Sequence, residues 1–431
     1  MIRRSILEWQ SMPYGDAPDE IPIWAADRLH QVAKASRLGG EEGGRIVQLG
    51  RRALRAGQVV GVLAAENCSL EILPKIDAAG GESGDATLGH VRKRLVHMLA
   101  VALDLDVQSG AMSDHDWQSN TLLEILISLF TRDLMDSVRQ GMPRRYVGIE
   151  DDLPALRGKL DVVRQFSLLA ASPQRLACQF DELSSDILLN RIMKAAIDRL
   201  RRVAIRPENQ RRLAELALTY ADVSSIPVKE IAWDTVKLDR TNARWRSLLS
   251  MARFLLGDRH QTTSMGGQQG ISLLFEMNVL FEQYVGRLLR RALAGRPLNV
   301  HLQGGRLYCL QDAETGRRTF QTKPDILVKR GKEVVHIIDT KWKRVTTKVD
   351  DPKRGVSQAD VYQMMAYGQI YSCGQLTLLY PHSAAMGGDP GRLSTNIIGT
   401  GTQELQMASV GLNDDRSVMQ QLTVLTAGVH D

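Results

Sequence analysis

Apolar positions recur along this chain in two periods. Leu188, Leu189, Ile192, Met193, Ala196, Ile197 and Leu200 follow i, i+3, i+4 spacing, which predicts a helix within residues 178–201 with Ser184 or Ser185 as its cap. The same spacing predicts helices over 23–36, 90–103, 116–139, 207–218, 242–256 and 271–293, and over 357–371 from Ser357. Short alternating or continuous apolar runs predict strands at 3–9, 307–310, 325–328, 333–341 and 376–380, and a hairpin of 59–63 with 69–76 through Ala65-Glu66-Asn67. Glycine-rich stretches 39–44 and 78–84 read as loops, 144–161 as a charged extended segment leading into a strand, and 384–393 as a surface loop before two weak strands. The sum is an α/β multidomain protein with a small mixed segment over 1–110, a mostly helical middle over 111–265, and a mixed sheet with helices over 266–431.

One stretch carries chemistry. Residues 323–344 read KPDILVKRGKEVVHIIDTKWKR, in which the turn Lys329-Arg330-Gly331-Lys332 joins two strands. Successive strand side chains alternate faces, so Asp339 and Lys341 share one face and Asp325 approaches from the neighbouring strand. Val334, Val335, Ile337 and Ile338 mark a strand covered on both sides, where an ionised group is costly unless paired or coordinated. A buried Asp–Lys ion pair is the bland alternative to a reactive centre.

Composition changes this picture little. The 431 residues are 43% hydrophobic and 24% charged, ordinary for a chain with sizeable cores. Cys68, Cys178, Cys309 and Cys373 stand far apart, which suggests neither a zinc site nor a disulfide framework and fits a reducing, cytoplasmic setting. No apolar run is long enough to cross a membrane, and the first residues lack a signal-peptide core. The net charge of +6 is local: residues 323–354 hold ten Lys/Arg against five Asp/Glu, and residues 191–212 hold eight against two. A positive excess around two carboxylates suits a phosphate-bearing substrate better than a cationic one.

Phosphodiester hydrolysis needs a hard cation on carboxylate oxygens and a group that orients water or stabilises charge. Asp325, Asp339 and the Thr340 carbonyl are the candidate Mg²⁺ ligands, and Lys341 is the candidate for the second role. Pro324-Asp325 followed by Asp339-Thr340-Lys341 resembles the PD-(D/E)XK nuclease motif. Gln363 and Tyr367, four apart on one helix face, resemble the Q-x-x-x-Y pair of its RecB-like members. Glu282 resembles the auxiliary acid such nucleases carry on the helix before the sheet, with Glu276 the competing assignment.

The blocks SLEILPKI from Ser69, LPALRGKLD from Leu153, CQFDELSSDILLNRIMKAA from Cys178, LFEMNVLFEQYV from Leu274, KPDILV and IIDTKWK together resemble the McrC family nearly end to end. That resemblance implies a C-terminal PD-(D/E)XK endonuclease acting on modified double-stranded DNA. It also implies a partner, a McrB-like hexameric AAA+ GTPase docked through the N-terminal segment. The chain has no Walker A pattern, so a motor must come from another protein. The alternatives are a stand-alone repair or recombination nuclease, and a non-catalytic adaptor that activates a partner nucleoside triphosphatase. Trp342 reads as a packing residue and His336 as a core or interface histidine, His301 and His382 could lie near the nuclease face though no spacing demands it, and Arg157 and Lys159 read as a loop salt bridge or a DNA or partner contact.

Overall fold

The computed structural model describes residues 2–36, 38–40, 43–75, 85–105, 113–172, 174–236, 238–240, 242–256, 263–265, 268–343 and 356–426. The spacer 78–84 and the basic residues 344–354 lie outside them. Two compact units emerge, one made of Met1–Leu122 with Gln261–Asp431 and the other of Leu123–His260. The expected first and last segments thus share one unit.

The first unit begins with β1 (Ile2–Leu7), β2 (Ser11–Pro13), α1 (Ile23–Lys34), β3 (Val47–Leu49), β4 (Ala53–Ala56), β5 (Val59–Ala65) and β6 (Cys68–Leu73). β5 and β6 pair antiparallel through a turn at Asn67, whose φ of 62° is a conformation asparagine tolerates. α1 buries Ala25, Ala26, Leu29, Val32 and Ala33 in a core with Leu63, Leu70 and Ile72. α2 (Asp85–Leu103) and α3 (Asp114–Ser119) follow. Arg92 on α2 is buried against Glu71 of β6 at 2.8 Å, and Glu71 also accepts the Leu122 N–H. The paired carboxylate and guanidinium satisfy each other away from water.

The long helix expected over 116–139 is two helices, α3 and α4 (Leu122–Arg139), with extended Asn120 between them. Polar side chains compete with the helix there: Ser119 Oγ donates to the His115 carbonyl and Asn120 Nδ2 to the Asp116 carbonyl, each at 2.8 Å. α3 starts with a capping box of Ser113 and Asp116.

The second unit continues from α4 with β7 (Arg145–Leu153), β8 (Lys159–Leu160), α5 (Val162–Ser167), β9 (Leu176–Ser184), α6 (Leu188–Arg201), α7 (Pro207–Thr219) and α8 (Trp245–Leu256). It holds a three-stranded antiparallel sheet, β7-β9-β8, beside its helices. Residues 178–184, ahead of the expected helix, are strand because they pair with 145–151. Ser184 is therefore spent in β9, and α6 starts after Ile187 with no side-chain cap. Tyr146, Val163, Phe166 and Leu168 on this sheet and in or just after α5 are each 69–78% exposed.

The first unit resumes with β10 (Thr263–Met265), β11 (Gln268–Glu276) and α9 (Met277–Ala292). The helix expected over 271–293 starts only at Met277, since Ile271–Glu276 pairs antiparallel with Ala64–Val59. An uninterrupted apolar run such as Leu273-Leu274-Phe275 satisfies either element, and the open edge of β5 decides it. The N-terminal sheet thereby has the order β1-β6-β5-β11-β10 and delivers the chain directly into α9.

The remaining elements are β12 (Asn299–Leu302), β13 (Tyr308–Gln311), β14 (Arg318–Gln321), β15 (Ile326–Arg330), β16 (Glu333–Thr340), α10 (Gln358–Ile370), β17 (Gln375–Pro381), β18 (Arg392–Ile397), β19 (Glu404–Val410) and α11 (Asp415–Leu425). They build a mixed sheet of order β12-β15-β16-β17-β19-β18, antiparallel at both ends and parallel from β16 to β19. Met364 and Tyr367 of α10 pack on Leu327, Ile337, Leu376 and Leu378 from three of these strands. α11 was not expected from the sequence; it is capped by Asp414, which accepts the Ser417 N–H. Among the described residues no helix is long and apolar enough to cross a membrane.

Candidate active site

The β15–β16 hairpin turns at Gly331, with a φ of 61° that suits a residue lacking Cβ, and pairs Ile326 with Ile338. That register brings Asp325, just before β15, level with Asp339 near the end of β16. Asp325 Oδ2 accepts both the Thr340 N–H at 2.8 Å and the Thr340 hydroxyl at 2.9 Å. Asp339, 2% exposed, lies with Oδ2 2.7 Å from Lys341 Nζ. The Lys341 N–H donates to the Leu379 carbonyl of β17, so the lysine backbone extends the parallel pairing past the end of β16.

α10 supplies the third wall. Lys341 Nζ donates to Gln363 Oε1 at 3.2 Å, and Gln363 Nε2 donates to the Tyr367 hydroxyl at 2.8 Å. The four-residue spacing that places both on one helix face makes this relay possible. Asp360, one turn earlier, stands 3.5 Å from Lys341 and accepts Lys343 at 2.8 Å. Asp360 and Lys343 went unremarked in the sequence, although Asp360, Gln363 and Tyr367 share helical spacing.

Glu282 of α9 is buried, with Oε2 accepting Gln303 Nε2 at 3.2 Å and Oε1 without a hydrogen-bond partner among the described residues. Gln303 follows β12 at a φ of 47° and donates its N–H to the Asp325 carbonyl, which links the two acids. No periodicity marks Gln303; only the loop from β12 brings it here. α9 comes close because Gly286, one turn beyond Glu282, lies where a Cβ would stand 2.1 Å from Leu302 Cδ2. Glu276, the competing acid, instead ends β11 and stands 3.9 Å from Arg45.

Burial dominates the electrostatics. It pushes the Glu282 carboxyl up to about 7, with the Asp325 charge adding to the rise. It also pushes Asp339 up to about 6, again aided by Asp325 and opposed by Lys341, and it raises Asp325 despite the Thr340 bonds. Burial pulls the Lys341 ammonium down, but Asp339, Asp360 and Asp325 outweigh it and the net shift is upward. The centre therefore holds a firmly protonated lysine among carboxyls that ionise reluctantly without further positive charge.

His336 is buried with Nε2 2.8 Å from Thr377 Oγ1. Trp342 Nε1 donates to Glu8 Oε1 at 2.8 Å, and its ring meets Phe281 edge-on at 5.5 Å. Glu8 also accepts the Lys75 N–H at 2.9 Å, so the residue after the lysine is tied to the N-terminal sheet. His301 is exposed on β12, and His382 Nδ1 lies 3.0 Å from Ser409 Oγ. In the second unit Arg157 stacks on Phe180 at 4.0 Å and stands 3.9 Å from Glu182, while Lys159 is exposed on β8.

The Asp325 and Asp339 carboxyls offer oxygen donors, the type hard divalent cations prefer. Buried Asp339 and half-buried Asp325, both with raised pKa, fit such an ion, which would relieve their repulsion. Among the described residues no group of three His, Cys, Asp or Glu is gathered for a metal, so water and substrate oxygens would have to complete the shell.

The family model described as McrBC 5-methylcytosine restriction system component matches residues 54–381. A solved half-complex from a tetradecameric assembly of Thermococcus gammatolerans McrB AAA+ hexamers with bound McrC contains a chain similar to this one. They share 20% identity and a TM-score of 0.69, over 98% of this chain and 100% of that one. A chain of the Thermococcus gammatolerans McrBC complex is similar at 24% identity and a TM-score of 0.53, over 68% of this chain and 88% of that one. At these identities the likeness speaks for the fold. No protein of curated function matches the sequence.

Proposed function

This chain belongs to the McrBC 5-methylcytosine restriction system component family, and from that premise we propose that it is the McrC-type endonuclease subunit of such a system. The observation that carries the proposal is the convergence of Asp325, Asp339, Lys341 and Glu282 from two strands and a helix, with Gln363 and Tyr367 behind the lysine. This is the arrangement a PD-(D/E)XK nuclease requires. The substrate is double-stranded DNA carrying a modified base, and the partner is a McrB-like AAA+ GTPase hexamer. The half-complex of McrB hexamers with bound McrC supports that pairing.

Asp325, Asp339 and the Thr340 carbonyl would hold Mg²⁺. When bound, that ion supplies charge neutralisation at the phosphate and a more acidic water. The remaining work falls to the chain itself. Lys341 stays protonated and presents N–H donors to the attacking water or a non-bridging phosphate oxygen, where negative charge grows in the transition state. Gln363 holds the ammonium in place, and Tyr367 orients the Gln363 amide. Glu282, with a carboxyl near neutrality, is suited to take a proton from water on the Asp325 side, and Gln303 fixes its orientation.

The test is cleavage of methylated duplex DNA with Mg²⁺, GTP and the partner, using wild type, Asp339→Ala and Lys341→Ala. Both variants are expected to lose cleavage while keeping the wild-type thermal transition and partner GTPase stimulation. Undiminished cleavage by Asp339→Ala would sink the assignment.

A further inference from the structure

Between Gln303 and Asp325, two residues of the centre, the chain makes an excursion that the catalytic geometry does not use. β13 and β14 pair with each other alone as a two-stranded antiparallel ribbon, Gln311 opposite Arg318 and Tyr308 opposite Gln321. The base of this ribbon is locked. Thr322 donates its N–H and its hydroxyl to the Leu307 carbonyl at 2.7 and 2.8 Å, and Thr322 Oγ1 lies 2.7 Å from the Tyr371 hydroxyl. Gly305 is packed so closely that a Cβ would stand 2.1 Å from that hydroxyl and 2.6 Å from Pro324 Cδ.

The ribbon itself is open to solvent. Phe320 is 71% exposed, Leu310 56% and Tyr308 39%, and Arg306, Arg317 and Arg318 are exposed beside them. Phe320 also adopts a φ of 57°, a conformation unfavourable for a bulky residue. An exposed aromatic held at such a φ on a rigidly anchored ribbon is poorly explained by folding alone, and strain of this kind concentrates at ligand-contacting sites. At the tip Asp312 accepts from Thr315 and from the Glu314 N–H within the turn, and three exposed arginines outnumber the two exposed acids, Asp312 and Glu314, so the ribbon's excess charge is positive.

We propose that the β13–β14 ribbon is a duplex-DNA clamp beside the scissile phosphate, with Arg306, Arg317 and Arg318 on backbone phosphates and Phe320 wedged against a base step. The occupant is argued from charge complementarity and from continuity: the ribbon's two ends are Gln303 and Asp325, so nucleic acid in the centre passes the ribbon. Apolar wedges that unstack a base step beside cationic phosphate contacts are an established way for proteins to grip and bend a duplex. The clamp rests on the nuclease reading above and extends it to how the substrate is held.

The experiment measures binding of the full-length chain to a fluorescent duplex without Mg²⁺, in the Asp339→Ala background so that nothing is cut. Arg317→Ala/Arg318→Ala is expected to weaken binding about tenfold and to reduce the slope of log K against log salt by about two. Phe320→Ala is expected to weaken binding severalfold with the salt slope unchanged, and Phe320→Tyr to restore it. A 2-aminopurine probe in the duplex brightens with wild-type ribbon and stays quenched with Phe320→Ala. All three variants keep the parent's thermal transition, since the residues are exposed.

Wild-type affinity and salt slope in the arginine and Phe320→Ala variants would overturn the clamp. Variants that bind DNA normally but no longer bind the AAA+ partner would overturn it too, and would assign the ribbon to protein docking. Failure of the nuclease reading is separate: it appears as uncut DNA with the wild-type chain, Mg²⁺, GTP and partner.

Discussion

Asp339 and Lys341 stand 2.7 Å apart in a place almost without solvent, and that distance alone is compatible with a structural ion pair. Asp325 and Glu282 argue otherwise, since a pair needs no further acids and the Asp325 charge raises the pKa of both Glu282 and Asp339. Lys341→Arg is a sharp test: it keeps the positive charge but replaces a compact ammonium with a planar fork. DNA affinity is expected to hold while the cleavage rate falls at least a hundredfold in single-turnover assays.

His336 gives a prediction independent of catalysis. Burial pushes its pKa from 6.5 down to about 4, so between those values the unfolded chain binds the proton and the folded chain does not. Its contribution is whole above pH 6.5 and is lost as pH falls towards 4, about 3 kcal/mol over the full window. Asp339 acts with the opposite sign, since its raised pKa favours the folded state at low pH and that advantage fades as pH rises through about 6. Urea denaturation of wild type and His336→Gln between pH 5 and 7 isolates the histidine, and the variant is expected to show the flatter loss of stability towards acid.

Among the elements, the β15–β16 hairpin and α10 were readable residue by residue, because alternation and helical spacing act within one segment. The run 271–276 was not, because a buried strand and a buried helix turn look alike until β5 is available as a partner. The β13–β14 ribbon depends on its base, and Gly305→Ala is expected to cost about 1–3 kcal/mol through overpacking against Pro324 and Tyr371. The Pro324 shift moves Asp325, so cleavage falls more than stability alone accounts for, as thermal melts and rates measured together would show.

At the scale of the molecule, the six-stranded mixed sheet is not a detachable body. β11 lies in the N-terminal sheet and runs straight into α9, which carries Glu282, while Glu8 binds the indole next to Lys341. A fragment spanning residues 268–431 exposes β11 and loses Glu8, so it is expected to give no cooperative melt by circular dichroism. Co-expression with residues 1–122 is expected to restore one.

The sequence by itself determined the hairpin, its two carboxylates and lysine, the glutamine and tyrosine behind them, and the amphipathic helices, since each rests on the period of a single element. Only the tertiary structure decided that Glu282 faces the carboxylates while Glu276 meets Arg45, that Gln303 and Asp360 join the centre, and that the two ends of the chain form one unit. Those outcomes depend on which strand edge is free and how close a glycine lets a helix approach. Neither is a property of any stretch of residues taken alone.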